Sequence, residues 1–188
     1  MKITTKEMVM AALFTALMCT VTILVRVFQP VVVIPFSLQP LIMLIAACVL
    51  SPTAAFLSML AYVVMGLIGL PVLSVPPYGG LAYFLMPSAG FLLAFPLSAW
   101  VQSRLIKKVN LINFILAGCA GIIVLYLVGL PYMYIILNFY LGQAVNIMKV
   151  LQWGFFPFIS FDLLKIVIAA LLALELSRRL NVKREIKA

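Results

Sequence analysis

The sequence predicts an all-α integral membrane protein with six transmembrane helices, on three observations. Hydrophobic residues make up 66% of the 188 and charged residues only 9%, and the mean hydropathy is +1.28, so a soluble globule would carry an oily surface. The apolar residues form long runs, and about 20 apolar residues cross a bilayer as a helix. Lys and Arg number 13 against 4 Asp and Glu, a formal charge of +9, and the basic residues gather where the runs end. In a soluble protein that excess would suggest nucleic acid. At these positions it reads as membrane topology, with the lipid bilayer rather than nucleic acid as partner.

The first run, residues 7–28, follows Lys2 and Lys6. It starts like a signal peptide but reaches no small-residue cleavage site, and is expected to stay as the first span. The segment "QPVVVIPFSLQP", residues 29–40, is apolar and β-branched between two prolines, and is expected to be an extended or re-entrant piece on the outer side. A second span at residues 41–50 is short for a full crossing. The "SPT" turn at residues 51–53 leads into a third span ending near residue 69. Then comes "GLPVLSVPPYGGLAYFLMPSAG", residues 69–90, with four prolines, four glycines and no charge. This stretch cannot be one continuous helix. Non-helical backbone survives at membrane depth only where protein buries it or a cavity adjoins it, which leaves two readings: the lid of a binding pocket, or an interfacial turn. The fourth span covers residues 89–106, the fifth 111–135 and the sixth 161–180. Residues 138–160, between the last two, are amphipathic enough to lie at the outer surface, with Trp153 as an interfacial anchor.

Three basic clusters punctuate this series: Lys2 with Lys6; Arg104, Lys107 and Lys108; and Arg178, Arg179, Lys183, Arg184 and Lys187. The positive-inside rule places all three in the cytoplasm, which demands an even number of crossings between each successive pair. Six spans satisfy that demand, with both termini cytoplasmic, lid loops outside, and residues 1–188 forming a single transmembrane domain. Cys19, Cys48 and Cys119 fall inside apolar runs and imply no disulfide framework. The tripeptide "GLP" at residues 69–71 and 129–131 hints at a repeated half.

Histidine is absent, and the acids are Glu7, Asp162, Glu175 and Glu185. Metal centres, proton relays and paired-carboxylate catalysts need several such groups converging, so an intramembrane enzyme is disfavoured, as are a cofactor and a metal site. No phosphate-binding G-x-x-x-x-G-K-[ST] loop is present. An ATPase driving transport would be another chain. The strongest feature is "SFDLLK". Asp162 and Lys165 lie three apart at the start of a helix, on one face, with Ser160 placed to cap it. Each charge costs about 2.5–3.5 kcal/mol at mid-membrane, and two readings follow: a self-neutralising pair that positions the sixth span, or a polar contact with a small ligand. Arg26 either snorkels to headgroups or meets an anionic ligand. Gln39, Asn138, Gln143 and Asn146 are donors and acceptors in outer linkers. Tyr78, Tyr83, Trp153, Phe155 and Phe156 would stack on a flat ligand or form an aromatic belt. Ala12 and Ala16 make a small-x-x-x-small pair that lets another helix approach closely.

Taken together, "AALFTAL", "IPFSLQP", "GLIGLPVLSVPPYGGLAYFLMPSAGFLLAF" and "FFPFISFDLLKIVIAA" resemble the BioY family, the biotin-specific substrate-binding S components of energy-coupling factor transporters. The resemblance covers nearly the whole chain, and its third segment is the most specific. It implies a six-helix bundle with an outward pocket under the loops after spans 1, 3 and 5, which puts Gln39, Tyr78 and Tyr83 among the expected substrate-binding residues. It also implies a transmembrane coupling protein and two ATP-binding subunits as partners. Asp162 and Lys165 match the family's ligand-contacting acid and lysine, Gly79 and Gly80 its lid glycines, and Ala12 and Ala16 its docking surface. The expected ligand is biotin or a similar small carboxylic acid such as lipoate or dethiobiotin; a membrane assembly protein is the reading from another class. Tyr78, Leu92 and Phe161 stand where relatives often carry a polar or basic residue, an arginine and a glycine.

Overall fold

A computed structural model describes residues 3–28 and 37–179. The expected extended piece before the second span falls mostly on residues 29–36, outside the described residues, as do Lys2, Lys183, Arg184 and Lys187. Seven α-helices make up most of the described length: α1 Thr5–Phe28, α2 Gln39–Val49, α3 Pro52–Leu67, α4 Ala89–Leu105, α5 Leu111–Ile135, α6 Ile147–Gly154 and α7 Phe156–Arg179. A 3₁₀ turn, Leu81–Leu85, precedes α4, and a π turn, Ile136–Tyr140, extends α5. The helices α1, α7 and α5 with its extension are each long and apolar enough to cross a membrane.

Helix starts follow the local chemistry. Asn110 caps α5 by accepting from the Asn113 amide at 2.8 Å, and Asn146 caps α6 by accepting from Lys149 at 2.9 Å. Proline occupies the first turn of α2 and α3, where its missing N–H costs nothing. The same rule moves the last span: α7 starts at Phe156 with Pro157 in its first turn, five residues before the expected boundary. Ser160 and Asp162 therefore lie inside the helix, so Ser160 does not cap it and Asp162 is beyond the first turn where the dipole acts. The expected outer linker is largely ordered helix, comprising the π turn, α6 and the start of α7. Nor do the two "GLP" segments form a structural repeat, since one lies in a loop and the other inside α5.

At the centre stands α2, in which every residue except Leu41 is buried. A helix apolar all round must be enclosed, and α1, α3, α4, α5 and α7 enclose it. Side-chain contacts fix the directions. Thr15 donates to the Ser58 carbonyl at 2.9 Å and Ser58 to the Ala11 carbonyl at 2.9 Å, while Thr22 lies 3.4 Å from the Tyr62 hydroxyl, so α1 and α3 run parallel. Gln102 and Ser103 donate to the Leu44 and Leu50 carbonyls at 2.9 and 2.7 Å, tying α4 to α2. Between α4 and α5 the packing is so close that a Cβ on Gly90 would lie 2.4 Å from Tyr132 Cβ, and one on Gly129 2.3 Å from the Phe91 ring. Together these contacts put the α4–α5 turn and the start of α1 at one end of the bundle, and the loop after α3 at the other.

Candidate functional site

The uncharged stretch after α3 folds into a compact loop that satisfies its own backbone. Leu73 N–H donates to the Tyr78 carbonyl, Tyr78 N–H to Val75 and Gly80 N–H to Gly66, at 2.8, 2.8 and 2.7 Å. Leu73 and Val72 plug the core, with Leu73 seated where any side chain on Gly66 would stand. The loop needs both of its adjacent glycines. A Cβ on Gly79 would lie 2.3 Å from the Leu70 carbonyl oxygen, and Gly80 has φ +92°, a conformation that favours glycine. Tyr78 adopts φ +63° without being glycine.

Side chains from the surrounding helices hold several further carbonyls of the stretch. The Tyr62 hydroxyl donates to Val72 at 3.0 Å, and Gln39 Nε2 donates in turn to that hydroxyl at 2.5 Å. Arg26 Nη1 donates to Pro71 at 2.9 Å and to Leu73 at 3.5 Å, while its guanidinium lies 4.4 Å from the centre of the Tyr78 ring. Farther along, the Tyr132 hydroxyl donates to the Phe84 carbonyl at 2.5 Å and Tyr83 is buried. Helix side chains thus supply hydrogen-bond donors to this broken backbone that water would otherwise provide. In the structure Arg26 thus reaches from α1 to this loop. A narrow crevice lined by Thr22, Val25, Ser37, Gln39 and Ser74 opens beside it.

A second polar group sits where α5 meets α7. Lys165 Nζ lies 2.8 Å from Asp162 Oδ1, with both residues 4% exposed, and the Tyr126 hydroxyl donates to Asp162 Oδ2 at 2.7 Å. Aromatic rings wall this cluster: Phe91 and Phe155 stand edge-on to Tyr126, with centroids at 5.9 and 4.9 Å. Two opposite charges removed from water need both each other and further hydrogen bonds, and the tyrosine supplies one. Phe91 follows directly on the loop stretch, which therefore abuts Gln39 and Tyr62 at its start and the Asp162 cluster at its end.

The expected residues accordingly fall into groups. Tyr78, Gly79 and Gly80 are together in the loop, Gln39 reaches it through Tyr62, and Asp162 and Lys165 pair directly. Ala12 and Ala16 lie on the exposed face of α1, opposite the face of Ala11, Thr15 and Met18 that packs inward. Asn138 donates to the Tyr134 and Val145 carbonyls, both at 3.1 Å, and Lys149 and Gln143 are exposed. Sequence reasoning passed over Tyr62, Tyr126 and Thr22. Their signal was a hydroxyl in the middle of an apolar run, away from either interface, where it must find a partner.

Comparison with known proteins agrees with this architecture. The family model described as "BioY family" matches residues 1–182. The probable biotin transporter BioY of Lysinibacillus sphaericus is 35% identical over 97% of this chain and 92% of its own length. The biotin transporter BioY of Thermotoga maritima is 34% identical over 95% of this chain and 99% of its own. Among solved structures, the S-component for biotin from an ECF-type ABC transporter shares the fold, with a TM-score of 0.73 at 22% identity over 94% of this chain and 95% of that one. With a match along nearly its whole length, the chain belongs to the BioY family.

Proposed function

We propose that this multi-pass membrane protein is the biotin-binding subunit of a vitamin uptake transporter, energised by a separate ATP-driven module. The observation that carries the reading is near full-length similarity to relatives named as biotin transporters, and the buried pair of charges between α5 and α7 supports it. Asp162 accepts hydrogen bonds from the ligand's ureido N–H groups, and Lys165 donates to its carbonyl or carboxylate. Gln39, Tyr78, Gly79, Gly80 and Tyr83 form the wall and lid. Apolar and aromatic surface with a few aimed polar groups suits a fused ring and an aliphatic tail. The chemistry is binding and release, without an enzymatic step.

In this reading the chain crosses the membrane six times with both termini in the cytoplasm. A transmembrane coupling protein docks on the Ala12 and Ala16 face of α1, and two ATP-binding subunits drive the cycle. Calorimetric titration of the detergent-purified protein with biotin, with lipoate and dethiobiotin in parallel, tests the ligand. Stoichiometric binding of biotin with nanomolar affinity, about −12 kcal/mol, is expected. Heat with a rival acid alone reassigns the substrate, and no heat with any of the three overturns the reading in favour of a membrane assembly protein.

A further inference from the structure

Arg26 is a cation whose partners are not acids. Among the described residues, Asp162 pairs with Lys165 and Glu175 with Arg179. Glu7 lies 19 residues away on the same helix, about 28 Å at 1.5 Å per residue. The guanidinium is instead spent on one loop. It donates to the carbonyls of Pro71 and Leu73 and covers the ring of Tyr78, three points that bracket the turn closed by Leu73 N–H and the Tyr78 carbonyl. Tyr78 has a backbone conformation that is unfavourable for a non-glycine residue, so something outside its own backbone must hold it there. The stacked guanidinium is positioned to do so. Only a planar fork offers in-plane N–H donors to carbonyls together with a flat face to a ring, which is why lysine is not equivalent here.

We propose that Arg26 is a positioning residue for the ligand site: a latch from α1 that keeps the 69–80 loop closed and thereby sets how fast ligand leaves. The second half of that statement rests on the binding function proposed above; the first does not. The latch acts on Tyr78, Gly79 and Gly80 through the loop and makes no contact of its own with ligand.

The test uses the full chain in nanodiscs and reads two quantities. Amide hydrogen exchange across residues 70–80 without ligand reports loop opening, and release of radiolabelled biotin reports residence time. Arg26→Gln is expected to speed both about thirtyfold or more, the scale of one cation–π contact plus a charge-assisted hydrogen bond, while exchange within α2 and α5 stays at wild-type rates. Arg26→Lys should fall between, and it carries the test if the glutamine variant fails to fold. Tyr78→Leu should speed loop exchange by less, since Arg26 keeps its bonds to the Pro71 and Leu73 carbonyls, and the double variant should not exceed Arg26→Gln, in which the ring contact is already lost. Unchanged loop exchange in Arg26→Gln, or additive effects, would overturn the latch. So would weakened binding of biotin with unchanged binding of its primary amide, which would make Arg26 a direct carboxylate ligand. If the wild type binds no biotin, the proposed function fails while loop exchange still decides the latch.

Discussion

Asp162 and Lys165 form an interaction that cannot be probed by deleting one partner alone. Lys165→Ala removes a donor from the proposed site but also strands a buried carboxylate, which costs about 3–5 kcal/mol of stability. The informative comparison adds Asp162→Asn with Lys165→Met, which removes both charges at similar volume and is near neutral for folding by the same principle. Lys165→Ala is expected to weaken biotin binding tenfold or more, since a hydrogen bond to a charged group contributes about 1.5–3 kcal/mol. The double variant should match the wild type in melting temperature yet bind no better than Lys165→Ala. A double variant that binds at wild-type affinity would reduce the pair to a helix-positioning role. The spacing of the two residues and their isolation among apolar neighbours made the pair legible in the sequence. Tyr126, 36 positions away, was not legible, because a lone tyrosine in an apolar run carries no mark of the carboxylate it will meet. For the same reason the partners of Arg26 stayed hidden: they are backbone carbonyls 45 and 47 residues away, and any residue type supplies a carbonyl.

At the scale of elements, boundaries marked by charge or by capping chemistry were legible to within two residues for α1, α2, α4 and α5. The start of α7 was missed because the amphipathic stretch up to residue 160 was read as outer linker, although Pro157 stands where proline in a first turn begins a helix. The loop after α3 was legible as broken and uncharged, but which side chains hold its carbonyls depends on three helices at once, through Arg26, Tyr62 and Tyr132. The helix α1 shows how one element divides its labour. Its inward face, Ala11, Thr15 and Thr22, engages α3, while Ala12 and Ala16 leave a shallow exposed strip beside the ridge of Leu13 and Leu17. Small residues let a second helix approach to backbone contact, and leucine at both positions would hold it off without touching the loop or the Asp162 cluster. Ala12→Leu with Ala16→Leu is therefore expected to abolish biotin uptake by cells while leaving calorimetric binding within about twofold, as for surface changes of under 0.5 kcal/mol. Undiminished uptake would remove this face from the docking surface.

For the whole molecule, two independent lines bear on its orientation in the membrane. Hydrogen bonds and glycine contacts place the starts of α1, α3 and α5 at one end of the bundle and the loop after α3 at the other. Lys6, the Arg104, Lys107 and Lys108 turn, and Arg178 with Arg179 then share that first end, although nothing in the packing required them to, since Lys6, Lys107, Lys108, Arg178 and Arg179 are all exposed. Basic residues so distributed predict the cytoplasmic side, and the proposed topology then puts the Arg26 loop on the outer face. Reporter fusions decide the matter. Alkaline phosphatase, active only outside the cytoplasm, is expected to be silent when joined after Lys108 or after Arg179 and active when joined at Gln143, in the linker before α6. Activity after Lys108 would invert the bundle or change the number of crossings before it, and would place the loop and its latch on the side where ligand is released.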